Sequence, residues 1–320
     1  MKYRNLGQAG MKVSAISMGG WINYGEGKIA DDEANNIVKT AYDKGVNFFD
    51  LADVYGKGKA ETQMGSILKQ FPRHTLVIST KVFGEMSDDI NDRGLSRKHL
   101  FESIDKSLAR LGTEYIDIYF CHRADPETPI RETARAMNDL ITAGKVMYWG
   151  TSEWEAAQIV EAYEICERYG WNPPVTDQPQ YSMLFRERVE GQILPVTKPR
   201  GIGLVPWSPL AMGMLTGKYD DGIPEDSRFG KEEWAKDRYM NDGNVEKVKA
   251  MKPIADDLGI TRAQLALAWL LRDSGVSSVI TGATRVSQIE ANAAAAEVEL
   301  SADGIAQLEE ILTSQPENAR

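Results

Sequence analysis

The chain is short of sulfur and of imidazole. Of 320 residues only two are cysteine, Cys121 and Cys166, and three are histidine, His74, His99 and His122. Two thiols make neither a disulfide framework nor a zinc cluster, and the histidines show no metal-ligand spacing, so no metal and no structural disulfide are expected. Basic tracts are missing too. Lys and Arg total 37 against 47 Asp and Glu, a net charge of −10 with pI near 5.0. Phosphate backbones require clustered cations, which excludes nucleic acid as the expected partner. No uncharged apolar run approaches the ~18 residues of a membrane span, and the first residues, Met1-Lys-Tyr-Arg-Asn-Leu6, hold no apolar leader-like core. A cytoplasmic protein without membrane insertion is the expectation. Also missing is a G-x-G-x-x-G loop after the first strand: Ser17-Met-Gly-Gly-Trp21 does not fit one, which argues against a doubly wound dinucleotide sheet.

What is present is alternation. Segments 3–7 and 12–14 flank Gln8-Ala-Gly10 as a hairpin, and short apolar strands are predicted over 15–19, 47–52, 76–82, 115–122, 146–152, 175–180, 203–208 and 278–281. Between them lie helical patterns over 31–44, 61–70, 97–111, 155–169 and 265–271. Ser96 and Gly112 bracket the third of these, and Thr261 with Gln264 forms a capping box before the last. Thr128-Pro129 reads as an N-cap and first-turn pair for a further helix ending at Ala143. Eight β-then-α units predict an α/β chain folded as one (β/α)8 TIM barrel domain over 1–320, with the hairpin plugging one end. Residues 210–243 break the pattern as a long loop after the seventh strand, and such a loop is either disordered or functional.

Three predicted strands deliver ionisable groups to one end. Asn47-Phe-Phe-Asp-Leu-Ala-Asp-Val-Tyr-Gly56 closes its apolar run on Asp50 and carries Tyr55 in the loop beyond, Lys81 lies near the end of the next strand, and His122 ends the one after. A buried Lys between an Asp and a Tyr favours the phenolate and so makes the phenol a better proton donor at neutral pH, with His122 placed to orient a carbonyl. Each residue also has a plain reading: strand-end lysines snorkel, and lone histidines are usually satisfied polar groups. Asp53 is expected to be solvated or to brace the loop. Farther on, Trp207-Ser-Pro-Leu-Ala-Met-Gly213 and Gly282-Ala-Thr-Arg285 leave the seventh and eighth strands with free backbone N–H groups, where barrel phosphate sites gather, and Lys218 and Arg228 follow. Both are equally readable as ordinary turns.

The order and context of Asp50, Tyr55, Lys81 and His122 resemble the aldo-keto reductase family, in particular the branch that holds the voltage-gated potassium-channel β-subunits and their bacterial relatives. The likeness runs from Tyr3-Arg-Asn-Leu-Gly7 to Gln288-Ile-Glu-Ala-Asn292. It implies reduction of an aldehyde or ketone with NADP(H), Tyr55 donating the proton. It further implies that Trp207 stacks on the nicotinamide, that Ser152 and Gln178 hold its carboxamide, and that Ser208, Leu210 and Gly213 lie along the pyrophosphate. Lys218, Arg228 and Thr284 would meet the 2′-phosphate and Gln288 and Asn292 the adenine, with Gly20, Trp21, Asp50 and Gly282 also on the cofactor. Trp21, Tyr24 and Phe83, with Trp149, are candidate walls of a pocket suited to apolar or aryl carbonyl compounds, each equally readable as core.

This chain departs from the branch in carrying His122 where channel subunits have Asn, Ala291 where they have an acidic residue, and Asp226 in place of an aromatic one. Relatives in the branch form ring-like assemblies, which implies a homo-oligomer. Two other readings stand beside the reductase: an NADPH-holding redox-sensor subunit, and a barrel lyase using Lys81 as a Schiff-base nucleophile.

Overall fold

The computed structural model describes residues 1–21, 24–25 and 29–313; the remainder of the predicted 1–320 domain lies outside the described residues. A hairpin comes first, β1 (Tyr3–Asn5) against β2 (Lys12–Ser14). Eight parallel strands follow: β3 (Ile16–Gly19), β4 (Phe48–Asp50), β5 (Val77–Val82), β6 (Ile116–Cys121), β7 (Val146–Ser152), β8 (Thr176–Gln178), β9 (Gly203–Leu204) and β10 (Val279–Thr281). From β3 to β9 each pairs with the next in sequence, and β10 returns beside β3. Backbone bonds from Leu204 N to Gly275 O (2.8 Å), Ser277 N to Leu204 O (2.8 Å) and Ile280 N to Pro206 O (3.0 Å) draw the two outer edges together. The α/β, TIM-barrel-like architecture expected from the alternation is what forms.

Helices wrap the sheet: α1 (Asp31–Asp43), α2 (Lys59–Leu68), α3 (Arg97–Leu111), α4 (Ile130–Thr142), α5 (Ala156–Tyr169) and a short α6 (Leu194–Thr197). After β9 come α7 (Arg228–Lys231), α8 (Glu233–Tyr239), α9 (Asp242–Ala250), α10 (Lys252–Asp257) and α11 (Arg262–Leu271), then α12 (Val286–Ala294) and α13 (Ala302–Thr313) past β10. The capping box of Thr261 and Gln264 opens α11, and Ser96 accepts from His99 N to open α3, which Gly112 ends at φ +66. At α4 the cap position belongs to Pro129 instead of Thr128. The Thr128 hydroxyl is drawn back to Asp125 Oδ2 at 2.7 Å, so it braces the preceding turn and leaves the helix end alone.

Strand parity sorts the core into two parts. Phe48, Val77, Ile118, Phe120, Val205 and Ile280 point into the barrel, where Leu6 and Val13 from the hairpin join them and seal that end with apolar side chains. Residues of the other parity, among them Met18, Phe49, Ile78, Tyr119 and Trp149, pack outward against the helices. Trp149 is therefore not a pocket wall. It is fully buried beneath the helices and its Nε1 donates to Asn172 O at 2.8 Å.

The loop after β9 is ordered by aromatic rings. Tyr219 stacks on Phe229 with centroids 4.1 Å apart, Phe229 lies 6.5 Å from Tyr239, and Tyr239 meets Phe185 of the preceding unit at 4.8 Å. All three loop rings are buried. This column pins α7 and α8 over the rim of the barrel.

Asp53 is buried and not solvated. Ser103 on α3 donates to its Oδ2 at 3.0 Å, which makes the loop-bracing half of the expectation correct. Desolvation, then the neighbouring Glu61 carboxylate, hold its pKa up to about 7, against the pull of the Ser103 hydrogen bond. The folded chain thus keeps a proton that the unfolded chain loses near its ordinary pKa of ~3.9. Stability linked to Asp53 is complete below that value and drains away as pH rises towards the folded-state value. Asp53→Asn is expected to gain stability relative to wild type at pH 8 compared with pH 5, as read from thermal melts at both. A difference that stays constant with pH would show that Asp53 titrates normally.

Candidate active site

The inward parity that buries Phe48, Val77 and Phe120 continues to the other end of each strand. Asp50 follows Phe48 by two residues, Lys81 follows Val77 by four and His122 follows Phe120 by two, so all three are delivered to one mouth. The register fixes their height, since Asp50 pairs with Ser79 and Lys81 with Phe120.

Lys81 is fully buried, and its ammonium donates to Asp50 Oδ2 (2.6 Å), Leu51 O (2.6 Å) and Tyr55 Oη (3.0 Å). Three donors meet three acceptors. Because Tyr55 receives one of these protons, its own hydroxyl hydrogen is left to point elsewhere. Asp50 is held in turn: Oδ1 accepts from Ser79 Oγ (2.6 Å) and from Gln178 Nε2 (3.0 Å). The His122 ring stands edge-on to the Tyr55 ring at 5.8 Å.

Burial pulls the Lys81 ammonium down, but Asp50 and Tyr55 outweigh it and its pKa ends above the ordinary value. A lysine so firmly protonated is a poor Schiff-base nucleophile, which weighs against the lyase reading. Burial pushes the Tyr55 phenol up, and the Lys81 charge reverses this only in part, so the net direction is upward. This corrects the expected lowering: desolvation of the phenolate exceeds the gain from one cation already shared with Asp50. His122 is held well below its ordinary pKa, first by desolvation and then by Lys81 and Arg123, and is neutral at pH 7.

Around Tyr55 stands a set of indoles. Trp21 lies 6.4 Å from the Tyr55 ring, 6.0 Å from Trp207 in an edge-on arrangement and 6.1 Å from Trp234. Trp234, on α8, was hidden in the sequence by the charged, aperiodic loop around it. Of the other candidate walls, Tyr24 is packed in the core at 1 % exposure and Phe83 is half-buried against that core.

Beyond Trp207 the backbone turns left-handed at Ser208 (φ +52), Ala211 (+48), Met212 (+56) and Gly213 (+96). Non-glycine residues held there are strained, and such strain gathers at ligand-binding turns. A Cβ on Gly213 would meet Cε and Nζ of Lys218 at 2.9 Å, so the ammonium lies directly over this turn. Backbone amides with a cation above them fit an anionic phosphate. Leu210 sits within the same turn and Arg228 is the first residue of α7. Ser152 Oγ donates to Gln178 O at 2.9 Å, and Gln178 already gives its amide nitrogen to Asp50, so its Oε1 is the atom left for a ligand. Gly20 N donates to Asp50 O (2.9 Å), and a Cβ on Gly20 would collide with Leu51 Cδ2 at 2.5 Å. Past β10, exposed Gly282 precedes Thr284, whose amide donates to Gln288 Oε1 at 2.7 Å; buried Asn292 lies one turn along α12. Arg285 is exposed at the N-cap of α12.

No metal-ligand cluster occurs among the described residues, and no described helix is long and apolar enough to cross a membrane. Residues 15–313 match the model of the aldo/keto reductase family. A probable voltage-gated potassium channel subunit beta from Arabidopsis thaliana is 47% identical over 99% of this chain and 98% of its own length. A protein of the same description from Oryza sativa subsp. japonica is 44% identical with the same coverage. A family match over nearly the whole length, on a barrel whose mouth gathers Asp50, Tyr55, Lys81 and His122, leads to one conclusion: the chain belongs to the aldo/keto reductase family.

Proposed function

We propose that the protein is an NADPH-dependent reductase of apolar or aryl aldehydes and ketones, with Tyr55 as proton donor. The observation that carries this reading is the saturated ammonium of Lys81, which commits all three of its protons and leaves the Tyr55 hydroxyl hydrogen to the mouth. When bound, the reduced nicotinamide supplies the hydride that no side chain can supply. Tyr55 hydrogen-bonds the carbonyl oxygen and gives up its proton as charge develops there. Lys81, kept charged by Asp50, stabilises the phenolate left behind. Neutral His122, beside the Tyr55 ring, orients the oxygen without competing as an acid. Trp21 and Trp234 shield the mouth with apolar surface.

For the cofactor, Trp207 is the platform for the nicotinamide, with Ser152 and Gln178 at its carboxamide and Gly20, Trp21 and Asp50 alongside. Ser208, Leu210 and Gly213 take the pyrophosphate. Lys218, Arg228 and Thr284 take the 2′-phosphate, with Gly282 at the turn before and Gln288 and Asn292 at the adenine. Two cations at one phosphate favour NADP(H), since a bare ribose gains nothing from them. A cytoplasmic homo-oligomer accompanies this reading.

The test is a fluorescence titration with NADPH and NADH followed by turnover of 4-nitrobenzaldehyde. Tight NADPH binding with turnover is the expected result, and no binding of either nucleotide would sink the reading. Lys218→Ala is expected to weaken NADPH binding about tenfold or more, the worth of one charge-assisted hydrogen bond, and to weaken NADH binding less, because the ammonium also lies beside the turn that takes the pyrophosphate. Equal weakening of both would place Lys218 away from the 2′-phosphate. The second reading, an NADPH-holding regulatory subunit, is favoured by the names of the two plant relatives. Tight NADPH binding with no turnover of any carbonyl would select it.

A further inference from the structure

Glu153 is the residue after β7, next to Ser152, and its backbone is left-handed at φ +57. A glutamate gains nothing intrinsic from that conformation, whose cost is borne where the surroundings hold the residue in place. What holds it is its carboxylate. Oε1 accepts from Trp207 Nε1 at 2.9 Å and from the backbone N of Gln180, while Oε2 pairs with Arg188 Nη1 at 3.3 Å. Arg188 is itself anchored through Nη2 to Trp154 O at 2.8 Å. One side chain thus ties the rim positions beyond three consecutive strands, β7 at Glu153, β8 at Gln180 and β9 at Trp207.

The consequence falls on Trp207. Its backbone N donates to Pro179 O at 3.0 Å, which fixes the main chain but leaves the ring free to turn about its side-chain bonds. The indole N–H is the ring's one hydrogen-bonding group, and Glu153 fixes where it points. With Trp21 edge-on at 87° on one side, the ring plane is set from two directions.

We infer that Glu153 is a positioning residue: its carboxylate locks the plane of Trp207 and so sets the angle at which the nicotinamide meets Tyr55. This rests on the reductase reading for the nicotinamide, while the Glu153 to Trp207 clamp stands on the geometry alone. Glu153 holds the ring through a hydrogen bond and not through its charge, since an indole N–H needs only an oxygen acceptor. The conservative variant Glu153→Gln keeps one oxygen for the indole and the Gln180 amide and gives up the ion pair with Arg188, which stays anchored on Trp154 O. It should therefore hold the ring at some cost in stability, whereas Glu153→Ala releases the ring.

The experiment compares wild type, Glu153→Ala and Glu153→Gln by near-UV circular dichroism, NADPH titration and steady-state kinetics, with Trp207→Phe as the spectral control. The Ala variant is expected to lose an indole band that the Gln variant keeps, and the same Glu153→Ala change made in the Trp207→Phe background should leave the spectrum unaltered. Its kcat for 4-nitrobenzaldehyde should fall about 10–100-fold, as small misplacements at a reacting centre do, with NADPH affinity changed less than about threefold. An unaltered spectrum in Glu153→Ala overturns the clamp. An altered spectrum with kcat and NADPH affinity falling together, unrescued by Gln, overturns the positioning role. If wild type itself binds no NADPH, the reductase reading fails, and the spectra still decide whether Glu153 holds Trp207.

Discussion

Replacing Tyr55 with Phe is expected to lower carbonyl turnover by about 10²–10⁴-fold, the usual worth of a positioned acid, with NADPH affinity nearly unchanged. The variant keeps the ring, and with it the contacts to Trp21 and His122, so the shape of the mouth survives. What disappears is the only proton at the Tyr55–Lys81 contact that Lys81 does not already assign. The change also removes the acceptor of one Lys81 proton, and a buried donor left without a partner costs about 1–3 kcal/mol. A modest loss of denaturant midpoint should accompany the loss of rate. The phosphate turn at Ser208 to Gly213 contains no atom of Tyr55, which is why affinity should hold. A Phe variant that keeps most of its rate would remove Tyr55 from the chemistry.

The second large effect is on stability. Lys81 and Asp50 form a pair with side chains 0% and 4% exposed, 2.6 Å apart. Breaking such a pair from one side leaves an uncompensated charge in the interior and costs about 3–5 kcal/mol. Lys81→Met should therefore lower the denaturant midpoint sharply and abolish turnover, even though methionine fits the space. Asp50 retains donors in Ser79 and Gln178, which hold the loss below that of a bare carboxylate. Pairing the change with Asp50→Asn removes the stranded charge, so the double variant should recover much of the stability while staying inactive. If the double variant is as unstable as the single one, the loss comes from packing and not from charge.

Strand ends were the legible part of the site. Asp50, Lys81 and His122 close apolar runs, and a fixed alternation of inward and outward residues left few places for them to go. Tyr55 was legible by its nearness to Asp50, but its pKa direction was not, because desolvation depends on how deeply neighbouring loops cover it. Trp149 shows the same limit from the other side: an aromatic on a strand reads as pocket or core until parity is known, and Gly150 beside it left the alternation unmarked. The helices α7 and α8 had no signal because their order comes from Tyr219, Phe229 and Tyr239, which stack in space at a spacing that matches neither helix nor strand. Glu153 had no signal beyond its place after Ser152. A glutamate in left-handed backbone cannot be anticipated, since propensity argues against it.

Among the described residues, the apolar side chains that Leu6 and Val13 place inside the barrel close that end and leave the opposite mouth as the way in. Whatever reaches Tyr55 enters by the rim that holds Trp21, Trp207 and Trp234, and leaves the same way. Two reactants sharing one entrance must queue. On the reductase reading, cofactor and carbonyl would share this entrance, and whichever seats deeper would enter first and leave last, so an ordered kinetic sequence would follow from the hairpin at the far end of the fold.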